Sequence, residues 1–117
     1  MSKIMLAEDD ATMLSLLETL LGLEGFQTVK LKPTDDVLEA IRANTPDVVL
    51  MDIHLDQGSG LDFLRQMRAS EDLKHTPVIM SSGMSLANEC RAAGANDFLM
   101  KPYMPNDLIE LIRKNHP

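Results

Sequence analysis

Five short apolar runs, KIMLA (Lys3–Ala7), FQTVKL (Phe26–Leu31), VVLM (Val48–Met51), PVIMS (Pro77–Ser81) and FLM (Phe98–Met100), alternate with segments whose apolar residues recur at helical spacing. This alternation constrains the fold more than any other feature of the chain. Strands joined by helical crossovers run parallel, and their helices cover both faces of the sheet. The helical stripes are Met13, Leu16, Leu17, Leu20 and Leu21; Val37, Leu38 and Ile41; Leu61, Phe63, Leu64 and Met67; and Leu108, Ile109, Leu111 and Ile112. Ser85–Ala93 reads as a shorter helix with few apolar residues. Gly25 and Gly94 stop helices, Pro33-Thr34 opens the second and Pro105 opens the last. The unbroken run VVLM predicts a strand buried on both faces. The expected fold is α/β, a doubly wound, flavodoxin-like five-stranded parallel sheet over residues 1–117 as a single domain, with strand order 2-1-3-4-5.

Polar residues follow the runs in a pattern. Glu8-Asp9-Asp10 follows the first, Asp52 the third, Ser82-Gly83 the fourth and Lys101-Pro102 the fifth. Open parallel sheets bind ligands beyond the carboxyl ends of their strands, where the strand order reverses. In the order 2-1-3-4-5, strands one and three are neighbours, so their carboxylates share one crevice. Each residue alone has an ordinary reading: Asp10 as a helix cap, Ser82 as a turn residue, Asp52 in a loop, Lys101 as a solvated charge. The repetition at one end of four strands is what those readings leave unexplained. Carboxylates packed together repel, and a hard divalent cation relieves that repulsion. An ammonium and a hydroxyl beside the cation suit a tetrahedral anion. The chemistry indicated is phosphoryl transfer onto a carboxylate.

With these residues in place the chain resembles the response-regulator receiver domains of two-component signalling, from Lys3 to the final helix. The resemblance implies that Asp52 is the phosphoacceptor. It implies that Asp9 is a direct Mg²⁺ ligand, Glu8 a ligand through water and the backbone carbonyl of His54 a further ligand. Lys101 and Ser82 would contact the phosphoryl group, and Ser82 and Phe98 would form the switch. It also implies a cis Lys101–Pro102 peptide, a phosphoryl donor that is a histidine kinase or a histidine phosphotransfer protein, a downstream protein partner, and a bacterial, cytoplasmic setting. No enzyme activity is expected beyond the domain's own phosphorylation and dephosphorylation. Three departures stand out: Asp56 where receivers usually carry proline, Ser82 in place of threonine, and a stretch from Ser82 to Lys101 shorter by about one helical turn.

Other functions fit less well. A net charge of −7 opposes nucleic acid and anionic lipid, and 3% aromatic residues leave no base-stacking platform. No apolar run reaches the roughly 20 residues of a membrane span, and no secretory signal is expected at the N-terminus. The single cysteine, Cys90, fits a reducing compartment and reads as a buried or half-buried thiol rather than a nucleophile. His54 and His75 do not form a metal pair. A Mg²⁺-dependent phosphatase with an aspartyl nucleophile would want a second aspartate two residues after Asp52, where His54 stands. A phosphate-independent binding module of the same fold would have no need for Glu8, Asp9, Asp52, Ser82 and Lys101 together.

Overall fold

The computed structural model describes residues 2–116. In chain order the elements are β1 (Lys3–Ala7), α1 (Ala11–Leu23), β2 (Gln27–Lys30), α2 (Val37–Asn44), β3 (Val48–Asp52), β4 (His54–Leu55), β5 (Gly58–Ser59), α3 (Gly60–Ala69), β6 (Val78–Ser82), α4 (Ala87–Ala92), β7 (Asp97–Met100) and α5 (Pro105–Asn115). Five strands form one parallel sheet in the order β2-β1-β3-β6-β7. The other two, β4 and β5, make a separate antiparallel hairpin. With that hairpin set aside, the order is the expected 2-1-3-4-5.

Side chains alternate between the two faces of each strand. Ile4 and Leu6 of β1, Val48 and Leu50 of β3, Ile79 of β6 and Leu99 of β7 meet Leu17 and Leu21 of α1 and Leu108, Ile109 and Ile112 of α5. Met5, Ala7, Val49, Met51, Val78 and Met80 meet Val37 and Ile41 of α2, Leu64 and Met67 of α3 and Cys90 of α4. Every residue of β3 is buried, as its apolar run requires. Each fully buried Leu, Ile or Met contributes roughly 1.5–3 kcal/mol to this double core. Among the described residues no helix is long and apolar enough to cross a membrane.

The structure corrects four local expectations. The helix expected at Pro33-Thr34 begins at Val37, because Asp36 is the better cap: its Oδ1 accepts the Glu39 N–H at 3.1 Å. Residues 32–35 form a turn instead, with the Asp35 N–H on the Lys32 carbonyl and the Lys32 N–H on Asp35 Oδ2. The broad stripe on α1 is narrower than its leucines suggest, since Leu17 and Leu21 are buried while Leu16 is exposed. The fourth helix is six residues rather than nine and has no side-chain cap. The fourth is the segment after Asp52, which reads as a plain loop and folds as the β4–β5 hairpin. Elsewhere Gly25, at φ 89°, ends α1 as expected, and Pro105 opens α5.

Candidate functional site

Pleat parity decides which strand-end groups meet. On β1, β3 and β7 the residues that share a face with Leu6, Leu50 and Leu99 are, two positions on, Glu8, Asp52 and Lys101. The register reinforces this: Ala7 pairs with Met51, so Glu8 and Asp52 stand side by side beyond it. Lys101 closes the group. Its Nζ lies 2.5 Å from Glu8 Oε1 and 2.6 Å from Asp52 Oδ2. Glu8 and Asp52 are only 4% and 8% exposed, so their charges require a partner in place. Burial alone would lower the Lys101 pKa. Its hydrogen bonds to Asp52 and Glu8 outweigh that effect and hold the ammonium above the ordinary lysine range. The Lys101–Pro102 peptide is cis.

Each remaining oxygen of the pair meets a backbone amide. Glu8 Oε2 accepts the Asp9 N–H at 2.9 Å, and Asp52 Oδ1 accepts the His54 N–H at 3.0 Å. Asp9 is exposed and turned outward, its Oδ2 accepting the Asp56 N–H at 2.6 Å. Partial desolvation of the carboxylate against the neighbouring loop raises the Asp9 pKa even though the residue as a whole is exposed; the Asp56 amide opposes the rise, the Asp56 and Asp52 carboxylates add to it, and Lys101 offsets a little. The Asp10 N–H also reaches Glu8 Oε2, at 3.4 Å, but the Asp10 carboxylate takes no part in the group. It caps α1, with Oδ1 accepting the Met13 N–H at 3.0 Å.

Ser82 and Phe98 have the opposite parity and belong to the face covered by α2, α3 and α4. Ser82 is fully buried, and its Oγ accepts the Met84 N–H at 3.1 Å. That bond uses an acceptor lone pair and leaves the hydroxyl hydrogen free to donate. The Ser82 carbonyl accepts the Lys101 N–H at 2.8 Å, which ties the ends of β6 and β7 together. Phe98 is half-buried against the α4 side of the core.

Sequence reasoning missed two features. Tyr103 lies two residues beyond Lys101, with its hydroxyl buried and without a hydrogen-bond partner. Burial first, and the Glu8 carboxylate second, push its pKa up to about 12. The second is the hairpin, whose amides reach into the site. The Gly60 N–H donates to the Ile53 carbonyl, just outside the pairs of His54 with Ser59 and Leu55 with Gly58. His54 and Ser59 are then the alternate, unbonded pair, and the His54 carbonyl points away from the ladder.

The donor set is hard oxygen throughout, the kind that suits Mg²⁺: carboxylates of Glu8, Asp9 and Asp52 and the His54 carbonyl. Among the described residues no three His, Cys, Asp or Glu side chains already stand together as a cation cage. Glu8 and Asp52 are turned to Lys101, and Asp9 to Asp56. The residues fit a divalent cation once Asp9 turns inward, and Lys101 holds positive charge at the group meanwhile.

Comparison with known proteins places the chain. Residues 4–113 match the family described as the response regulator receiver domain. The polar-differentiation response regulator DivK of Brucella ovis is 28% identical over 113 residues, covering 94% of this chain and 92% of that protein. A two-component response regulator-like protein of Arabidopsis thaliana is 33% identical over 114 residues, 93% of this chain but only 18% of that longer protein. Among solved structures, one assigned to a response regulator of Chloroflexus aurantiacus superposes with a TM-score of 0.88 at 26% identity, covering 97% of this chain and 96% of that one. The receiver domain of a sensor histidine kinase from Pseudomonas aeruginosa, described with a magnesium ion coordinated in its active-site cleft, gives 0.80 at 26% identity, covering 97% and 95%.

Proposed function

The chain belongs to the response regulator receiver domain family of two-component signalling, and on that premise we propose that it is a phosphorylation-dependent switch whose acceptor is Asp52. The observation that carries this reading is the single ammonium of Lys101 shared by two buried carboxylates at the tips of neighbouring strands. The phosphoryl donor is the phosphohistidine of a kinase or phosphotransfer protein. An Asp52 oxygen attacks phosphorus as the phosphorus–nitrogen bond breaks, and the phosphoryl group passes to the carboxylate as a mixed anhydride.

Asp9, Asp52 and the His54 carbonyl would hold Mg²⁺ directly, and Glu8 through water. The bound cation supplies positive charge to offset that of the phosphoryl oxygens. Lys101 begins between Glu8 and Asp52 and can follow the charge onto a phosphoryl oxygen. Glu8 keeps the Asp9 amide when Lys101 moves, so its buried charge is not left bare. Ser82 donates its free hydroxyl hydrogen from the other pleat face. Its movement draws on the turn at Met84 and on the space beside Phe98, which carries the change to α4, β7 and α5. The signal leaves by contact with a downstream protein in the cytoplasm.

Incubation with a small acyl phosphate, with and without Mg²⁺, followed by intact-mass measurement, tests the reading. One added phosphoryl group, dependent on Mg²⁺, supports it. No uptake under any condition contradicts it.

A further inference from the structure

The Asp56 main-chain N–H is, among the described residues, the one hydrogen-bond partner of the Asp9 side chain, at 2.6 Å. The bond joins the loop after β1 to the tip of the β4–β5 hairpin. That tip has a second, independent anchor: Gln57 Nε2 donates to the Lys32 carbonyl at 2.7 Å, on the loop after β2. Losing the Asp56 contact therefore does not set the hairpin free.

Among the described residues no cation pairs with the Asp9 carboxylate. Lys101 is committed to Glu8 and Asp52, and its pull on Asp9 is weaker than the repulsion from the Asp56 and Asp52 carboxylates. The Asp56 amide is the dipole that offsets this repulsion, and it does so by holding the Asp9 carboxylate toward the hairpin tip. The separation of Asp9 from the Glu8–Asp52 pair agrees with that hold, since no three carboxylates among the described residues stand together as a cage.

We propose that the Asp56 amide is a positioning group that competes with a divalent cation for Asp9, so that cation binding and release of the hairpin tip from the β1 loop are one event. The inference rests on the reading of Asp9 as a metal ligand. The hairpin also carries the His54 carbonyl at its base. Exchange thus moves the Asp9 carboxylate from the tip of the hairpin to its base, beside Asp52. Residue 56 acts twice and with opposite sign: its carboxylate attracts the cation, and its amide withholds a ligand.

Two substitutions separate these effects. Asp56→Asn removes the charge and keeps the N–H. Asp56→Pro removes both, because proline has no backbone donor. The full chain and both variants are titrated with MgCl₂ and followed by backbone amide NMR. Asp56→Pro is expected to bind Mg²⁺ about 3–10-fold tighter than Asp56→Asn, the share of a charge-assisted hydrogen bond that an exposed pair retains. In the wild type the Asp56 amide resonance is expected to move with the same midpoint as Asp52. Equal or weaker affinity of Asp56→Pro relative to Asp56→Asn overturns the proposal. So does an Asp56 amide unmoved at saturating Mg²⁺, which decides alone if Asp56→Pro does not fold. A wild type that binds no Mg²⁺ at all sinks the metal reading and this inference together, whereas binding without an Asp56 response sinks only the inference.

Discussion

The Lys101 ammonium stands 2.6 Å from Asp52 Oδ2, across a parity-matched gap between the ends of β7 and β3 that are separated by β6. Reaching over an intervening strand takes a long, flexible side chain with a compact charge, which lysine provides. The contact has consequences for stability as well as for chemistry.

Lys101→Ala removes the shared cation and leaves Glu8 and Asp52 side by side with no counter-charge. The Lys101 side chain is 23% exposed, so solvent replaces part of the loss. Destabilisation of about 3 kcal/mol is expected, near the low end for breaking a buried pair. Urea denaturation at neutral pH measures it. Asp52→Asn should cost less, because Lys101 keeps Glu8. The opposite ranking would show that the ammonium does not neutralise the pair.

Gly60 opens α3 directly beneath the acceptor strand. A Cβ placed there would lie 2.3 Å from the Asp52 carbonyl oxygen and 3.0 Å from Ile53 Cα, both main-chain atoms. Neither can swing aside, so Gly60→Ala has to displace the end of β3. A loss of about 1–3 kcal/mol in thermal or urea unfolding is expected from such overpacking, with slower phosphoryl uptake at Asp52. Unchanged stability would mean that the strand end and the helix start move together at no cost.

Tyr103 is the only tyrosine, and the chain has no tryptophan, so its ionisation can be read directly by ultraviolet absorbance. Burial and the Glu8 carboxylate predict a midpoint of about 12, above the ordinary 10. The unfolded chain loses that proton first, so the contribution to stability is fully present below pH 10 and declines as pH rises toward 12. Tyr103→Phe should remove this part of the alkaline decline. A midpoint near 10 in the folded protein would contradict the burial of the hydroxyl.

A beryllium fluoride adduct mimics an acyl phosphate and allows the switch to be followed by hydrogen exchange. The α4 helix is six residues long, uncapped, and contributes only Cys90 to the core, so it should exchange fastest among the helices. With the adduct, protection should change from Ser82 to Met104. Changes confined to α1 and α2 would show that the signal leaves by another face.

Most of the fold was legible because burial on both faces of β3 leaves a run that no amphipathic helix would show. The site was legible for a related reason: the topology sends every parallel strand to the same end, so one list of strand-end residues is already a list of neighbours. Glu8, Asp52 and Lys101 meet as that list implied. What it could not supply is orientation. Asp9 follows Glu8 in sequence but turns away, because a main-chain amide of Asp56 holds it, and a backbone donor has no signature in the residue type. The hairpin was hidden for the same reason, being two residue pairs fixed by ladder geometry. Pro33 and Asp36 are both acceptable openers for α2, and only the bond that Asp36 Oδ1 accepts from the Glu39 amide decides between them.

Asp52, and no other carboxylate of the cluster, is expected to take the phosphoryl group. The most direct measurement is residue-level mapping after treatment with an acyl phosphate and Mg²⁺, with borohydride reduction of the acyl phosphate before peptide mass analysis. A single reduced aspartate is expected at position 52, lost in Asp52→Asn and retained in Asp56→Asn. A label on Asp9 or Asp56 in the wild type, or full uptake by Asp52→Asn, would contradict it.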